Sequence, residues 1–412
     1  NDNVVNCMAE DSRGRVWIGT NTGGVNCWDS SWGTFRHYPM RSSGANAPGS
    51  DDVKAIWVDD AAGKVYVGAH AGGLSCIGID SGLVTTFASE NRSGGARPLD
   101  VYSIIPVPNS SLLLLGTLDG VRLFDRKTGR VSVPEFSDEA KSSAMNSARA
   151  MLLDSEGRLW AGGGNGLSVY TFSDGRLSLC PDIEVPSGLY VHSFLEFPGN
   201  SVYVGTREGL LCFSLSGGEL TRYTAPDALP SNIVDALEAD DYGMVWVSTD
   251  RGLCRINPYT ASSRSFSVED GLSCSQFNPN SSLRRRDGEI LFGGVDGITF
   301  FSPELFSENP YSPPPVLTDF RLSGKYASER VSLTGNEIVL SHDRNSFSIS
   351  FSVPNYLSSH HDTFAYILDG HDDDWTYTDS GRTASWSNLP HGEYVFMLKS
   401  ANNDGKWCES PV

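Results

Sequence analysis

Asp11-Ser-Arg-Gly-Arg-Val-Trp-Ile-Gly-Thr20 is a tight turn running into a short apolar strand. The aspartate can accept turn N–H groups, and the glycine supplies a positive φ. The string returns as Asp154-Ser-Glu-Gly-Arg-Leu-Trp-Ala-Gly162 and as Asp240-Asp-Tyr-Gly-Met-Val-Trp-Val-Ser-Thr249. Weaker copies end at Gly68, Gly116, Gly205 and Gly293. Aligned on Gly19, Gly68, Gly116, Gly162, Gly205, Ser248 and Gly293, successive copies lie 49, 48, 46, 43, 43 and 45 residues apart. A period in the forties with several short strands per unit is the signature of a β-propeller.

Residues 4–38 show one unit. An apolar-rich first strand leads to the Asp11–Gly14 turn and a second strand through Gly19. A turn at Asn21–Gly24 precedes the third strand, and Phe35-Arg-His-Tyr38 forms the outer fourth. Trp17 is expected to fill space between blades. Gly19, inside a strand, marks close approach of another backbone. Six further units follow to about residue 301, giving a seven-bladed propeller over 1–308. The seventh lacks a recognisable fourth strand, which is expected from a segment upstream of Asn1.

Asn309-Pro-Tyr-Ser-Pro-Pro-Pro315 carries four prolines in seven residues and reads as a stiff linker. Beyond it the repeat disappears. Alternating runs at 316–322, 337–340, 346–353, 363–368, 383–386 and 394–400 predict an immunoglobulin-like β-sandwich over 316–412. The fold class is therefore all-β.

Composition narrows the partners. The 412 residues carry a net charge of −19, which disfavours nucleic acid and anionic membranes. Arg284-Arg285-Arg286, the densest basic run, reads as a solvated turn. No apolar run is long enough to span a membrane, and no secretory signal is visible. The eight cysteines include Cys27, Cys76, Cys212 and Cys254 at similar places in separate units. They read as small hydrophobes rather than a disulfide framework or a zinc site.

The repeats resemble the two-component-regulator propeller repeat, with its Asp-x-x-Gly-x-hydrophobic-Trp-hydrophobic-Gly-Thr core. The tail resembles the domain named for three tyrosines. The matching residues are Phe364-Ala-Tyr366, Leu368-Asp-Gly370, Asp374-Trp375, Asn388-Leu-Pro-His-Gly-Glu-Tyr394 and Asn402-Asn-Asp-Gly-Lys-Trp407. Trp386 stands where that family often has its middle tyrosine. The resemblance implies the periplasmic region of a membrane-bound sensor histidine kinase, often a hybrid two-component system of gut Bacteroidetes. It implies an oligosaccharide ligand, a homodimer through the sandwich and an upstream propeller. A final strand and a transmembrane helix are expected after Val412.

In a propeller the loops joining second to third strands share a face with those joining successive blades, and loops on a rigid scaffold carry binding residues. Asn21, His70, Asp119, Asn165, Arg207, Glu208, Asp250, Arg251 and Asp296 fall on that face. Tyr102, Arg149, Tyr190, His192 and Asp235 stand at inner-strand starts. Amides, charges and aromatics together suit a sugar, whose hydroxyls take hydrogen bonds while its faces stack on rings. A protein–protein scaffold is the main alternative. A glycoside hydrolase or polysaccharide lyase needs paired carboxylates, but the recurring aspartates have the Asp-x-x-Gly spacing of turn formers. Asp369-Gly-His-Asp-Asp-Asp374, with His360 and His361, is an oxygen-rich run without an EF-hand pattern. No cofactor, metal or catalytic residue is expected.

Overall fold

The structure is a computed structural model. It describes all residues except 1, 30, 32, 41–48, 88–98, 138–146, 174, 216–219, 307–310, 324–336, 355–362, 379–380, 403–405 and 409–412. The chain forms two compact units, Asn1–Leu305 and Phe306–Val412. His360, His361 and part of the proline run lie outside the described residues.

The first unit holds seven sheets, each built on an antiparallel meander in chain order. Blades 1, 2, 3, 5 and 6 have four strands. Blade 4 gains a fifth, Glu135–Phe136, which pairs in parallel with Arg176–Leu179 outside its fourth strand. Blade 7 has three: Phe277–Arg284, Ile290–Gly294 and Gly297–Phe301. The first strands of successive blades lie against one another in a closed ring. Phe277–Arg284 of blade 7 returns against Val5–Glu10 of blade 1. The unit is a seven-bladed β-propeller.

The ring is held by wedges of apolar side chains between neighbouring blades. Trp17, Cys27 and Val25 of blade 1 pack with Val65, Val67 and Ile77 of blade 2. The cycle ends where Val5, Met8 and Ile18 of blade 1 meet Leu291 of blade 7. The recurring tryptophans Trp17, Trp160 and Trp246 are fully buried. Each buries on the order of 200 Å² and stabilises by about 5 kcal/mol before entropy is counted.

The repeat glycine marks the tightest point of each wedge. A Cβ on Gly162 would sit 2.6 Å from Val191 of the next blade, and one on Gly293 would sit 2.7 Å from Val5. Gly19 meets Val53 and Gly68 meets Val101 in the same way. The close neighbour is thus chiefly the side chain that opens the next blade's first strand, rather than backbone alone.

All eight cysteines are free. The arginine run differs from the solvated turn expected of it. Arg284 bonds Asp241 of blade 6, Arg285 reaches Glu10 of blade 1, and Arg286 reaches Asp60 of blade 2. It ties the seam where the ring closes.

In the second unit, Val316–Leu322, Phe347–Ser352 and Thr383–Trp386 form one sheet. Thr376–Thr378, Thr363–Asp369 and Val395–Ala401 form the other. The sheets share a core in which Phe351 and Trp386 of the first meet Phe364, Tyr366 and Phe396 of the second. This is an immunoglobulin-like β-sandwich. Trp386 donates its Nε1–H to Asp372, which also accepts from the Leu368 N–H. That carboxylate of the oxygen-rich run therefore braces the core. Tyr394 Oη donates to the Pro390 carbonyl at 2.9 Å, the short backward bond of a tyrosine corner. The expected strand at 337–340 does not form, and Val339 is largely exposed.

Candidate functional site

One irregularity recurs along the inner strands. Pairing of first with second strand skips a residue between Val5 and Cys7, and again between Val53 and Ala55. It does so between Val101 and Ser103, Val191 and Ser193, and Val234 and Ala236. The skipped residues are Asn6, Lys54, Tyr102, His192 and Asp235. Arg149 holds the same place in blade 4, between Ala148 and Ala150. In blade 7 the gap widens to Asn278–Ser281, with Asn280 at φ 55°. A β-bulge re-aims the extra side chain away from its alternating position. Six such irregularities, with Arg149 at the matching place in blade 4, make a ring of side chains at one level.

Part of this ring stitches the propeller together. Asn6 Nδ2 donates to the Val53 carbonyl at 2.9 Å, and Asn278 Nδ2 donates to the Val5 carbonyl at 2.8 Å. His192 Nδ1 lies 3.1 Å from the Val234 carbonyl. Each bulged side chain thereby satisfies the carbonyl before the next blade's bulge. Lys54, Tyr102, Arg149 and Asp235 do not make this bond and are turned to other partners.

Those partners run continuously across blades 2 to 6. His70 Nδ1 lies 2.8 Å from Asp100 and 3.1 Å from the Tyr102 hydroxyl. The Arg149 guanidinium sits 5.2 Å from the Tyr102 ring centroid and donates to the Tyr190 hydroxyl at 2.9 Å. Arg207 lies 4.0 Å from the Tyr190 centroid, and its Nε donates to His192 Nε2 at 3.4 Å. His192 Nδ1 is also 3.1 Å from Asp235, so the Nδ1–H tautomer satisfies every neighbour. Burial pushes the Asp235 carboxyl up, partly offset by the hydrogen bond to His192. Burial likewise pushes the Tyr102 phenol up. Asp250, on the adjoining turn, adds to the rise at Asp235 and holds a buried Oδ1 without a hydrogen-bond partner.

Seven of the sequence-predicted residues thus converge: His70, Tyr102, Arg149, Tyr190, His192, Arg207 and Asp235. Asp250 adjoins them through Asp235, and the others occupy the same face without joining them. Asn21 accepts from Lys54 Nζ at 3.3 Å, and Asp296 accepts from Asn3 at 3.0 Å. Glu208 lies 3.8 Å from Arg222. Asp119, Asn165 and Arg251 are exposed on their turns. Sequence reasoning missed Asn6, Lys54 and Asn278. The available signal was positional, because each follows the apolar residue that opens its unit's first strand.

The opposite end of the blades carries a second concavity. An open cleft of about 640 Å³ lies between blades 2 and 3, lined in part by Lys64, Tyr66, Asn109 and Arg126. Its guanidinium is already engaged, since Arg126 bonds Asp59 at 2.5 Å and the Ser110 carbonyl at 2.6 Å.

Two family models match the chain. The two-component-regulator propeller matches residues 1–22, and the Y_Y_Y domain matches residues 355–410. The chain is 27% identical over 326 residues to histidine kinase P4 of Formosa agariphila. The match covers 74% of the chain and 23% of that kinase. Its fold matches a solved chain assigned to the extracellular domain of the hybrid two-component system BT3049 from B. thetaiotaomicron. There the TM-score is 0.82 at 24% identity, with 100% of this chain and 55% of that one covered. A virginiamycin B lyase from Staphylococcus aureus shares the fold over 73% of this chain and 94% of its own, at TM-score 0.56 and 15% identity. The chain thus spans about a quarter of the curated relative and about half of the solved sensor chain. Among the described residues no helix is long and apolar enough to cross a membrane.

Proposed function

We propose that the chain is the periplasmic ligand-sensing region of a membrane-bound two-component sensor histidine kinase, and that its propeller binds an oligosaccharide on the bulge-bearing face. The convergence of Tyr102, Arg149, Tyr190 and Arg207 on that face supports this reading. Rings offer stacking surfaces, and guanidinium and imidazole groups offer hydrogen bonds to hydroxyls. The sandwich relays binding towards the membrane by favouring one of two arrangements of paired protomers. Calorimetry against a panel of glycan oligosaccharides tests the reading. Saturable binding without product is expected, and Tyr190→Ala should weaken it about 5-fold, the worth of one stacked ring. New reducing ends or unsaturated sugars would replace this reading with a carbohydrate-active enzyme.

The outer edge of Gly297–Phe301 favours a second reading. No strand pairs with it among the described residues, and Phe300 is 66% exposed. A protein scaffold would use such an edge to receive an extended segment, from an upstream propeller or another protomer. Silence across the glycan panel together with self-association would support it.

A further inference from the structure

The strongest anomaly on the bulge-bearing face is electrostatic. The chain has 50 acidic and 31 basic residues, and several of its arginines pair with carboxylates. Arg15 pairs with Asp11, Arg158 with Asp154 and Arg126 with Asp59. Arg149 and Arg207 break this pattern. Their guanidinium groups lie 6.0 and 4.0 Å from the centroid of the same Tyr190 ring. No carboxylate of the described residues lies within ion-pair distance of either. The Arg149 Nε is buried with no hydrogen-bond partner.

Two like charges gathered on one ring repel each other. Stacking on the electron-rich ring face and the attraction between Arg207 and Asp235 offset part of that repulsion, and a bound anion would offset the rest. Guanidinium forks present paired donors that fit an oxyanion better than a sugar hydroxyl does. On the far side of His192, Asp235 and Asp250 make the blade 6 flank negative. Positive and negative flanks side by side admit one acid group and turn away a dense polyanion.

Resting on the oligosaccharide reading above, we infer that Arg149 and Arg207 form the anion subsite of the propeller, selecting an oligosaccharide with a carboxylate or sulfate on one sugar held at blades 4 and 5. The Tyr102 ring lies next to this subsite and stacks the neighbouring sugar.

Calorimetry on the 412-residue chain tests the inference with two probe sets. One set carries a single acid group: cellobiouronic acid for carboxylate and monosulfated lactose for sulfate. The other is neutral: cellotriose and maltotriose. An acidic probe should bind, more weakly as sodium chloride rises, and the responding member distinguishes carboxylate from sulfate. Arg207→Gln, at an exposed position, should cost at least about 10-fold in affinity without changing the melting temperature. Arg149→Gln should do the same and guards against a fault peculiar to one variant. Binding confined to neutral probes would overturn the anion subsite while leaving the oligosaccharide reading in place. Acidic binding unchanged in both variants would overturn it too. Silence from both sets would remove the inference and the reading together.

Discussion

Asp154 shows how much one repeat residue carries. Its Oδ1 accepts the N–H groups of Glu156 and Arg158, and its Oδ2 accepts Arg158 Nε and Trp160 Nε1. Asp11 and Asp240 hold Trp17 and Trp246 in the same way. The turn role was legible in the sequence because Asp and Gly at that spacing have a local purpose. The bond to the tryptophan was not, because it exists only once turn and strand have folded together. Asp154→Ala should destabilise the propeller by about 2–4 kcal/mol, removing the acceptor of the Arg158 Nε–H and the Trp160 indole N–H while Glu156 still pairs with the guanidinium. Denaturant unfolding followed by tryptophan fluorescence measures this. Glu238 gives a pH dependence. Desolvation pushes its carboxyl up to about 7 from an ordinary 4.5, against the pull of Ser282 and Arg284. Between those values the folded chain holds a proton that the unfolded chain has released, so stability falls as pH rises through the window. Glu238→Gln should flatten the fall in melting temperature between about pH 4.5 and about pH 7.

At the scale of the element, the sequence located the strands well and their irregularities poorly. The strands Val53–Asp59 and Val191–Phe197 follow apolar openings that are visible by eye. The bulges leave no mark in composition, because an extra residue looks like any other until the partner strand is aligned. Residues 337–340 show the converse: an apolar alternation joins neither sheet among the described residues, and Ile338 and Leu340 pack against the sandwich core instead. The glycine wedge was legible as a close approach but not as a contact with a valine in the next blade. Gly162→Ala places a methyl group against Val191 and should cost about 1–3 kcal/mol. A calorimetric melt gives the shift, and an unchanged melting temperature would mean that the wedge has slack.

At the scale of the molecule, the propeller closes with no fourth strand in blade 7 among the described residues. The seam is held by Asn278 and Ser281 on the Val5 carbonyl, by Gly297 N–H on the Asn3 carbonyl and by the arginine run. Amides of Gly297–Phe301 should therefore exchange with deuterium at least about 10-fold faster than those of Gly252–Ile256, which is paired on both sides. Equal protection in the two strands would show that some other segment covers the edge. The face that carries the candidate site was legible, since the meander dictates which loops share an end. Which side chains on it converge was not, because His70, Tyr102, Arg149 and Arg207 come from four blades and meet only after the ring closes. The skipped residues also separate two kinds of inheritance. Lys54, Tyr102, Arg149 and Asp235 contribute little to strand pairing or to the apolar wedges, so a lineage can rewrite them without rebuilding the scaffold. Diversification among descendants of this propeller should concentrate at those four letters, while the asparagines and the histidine that stitch neighbouring blades stay constant.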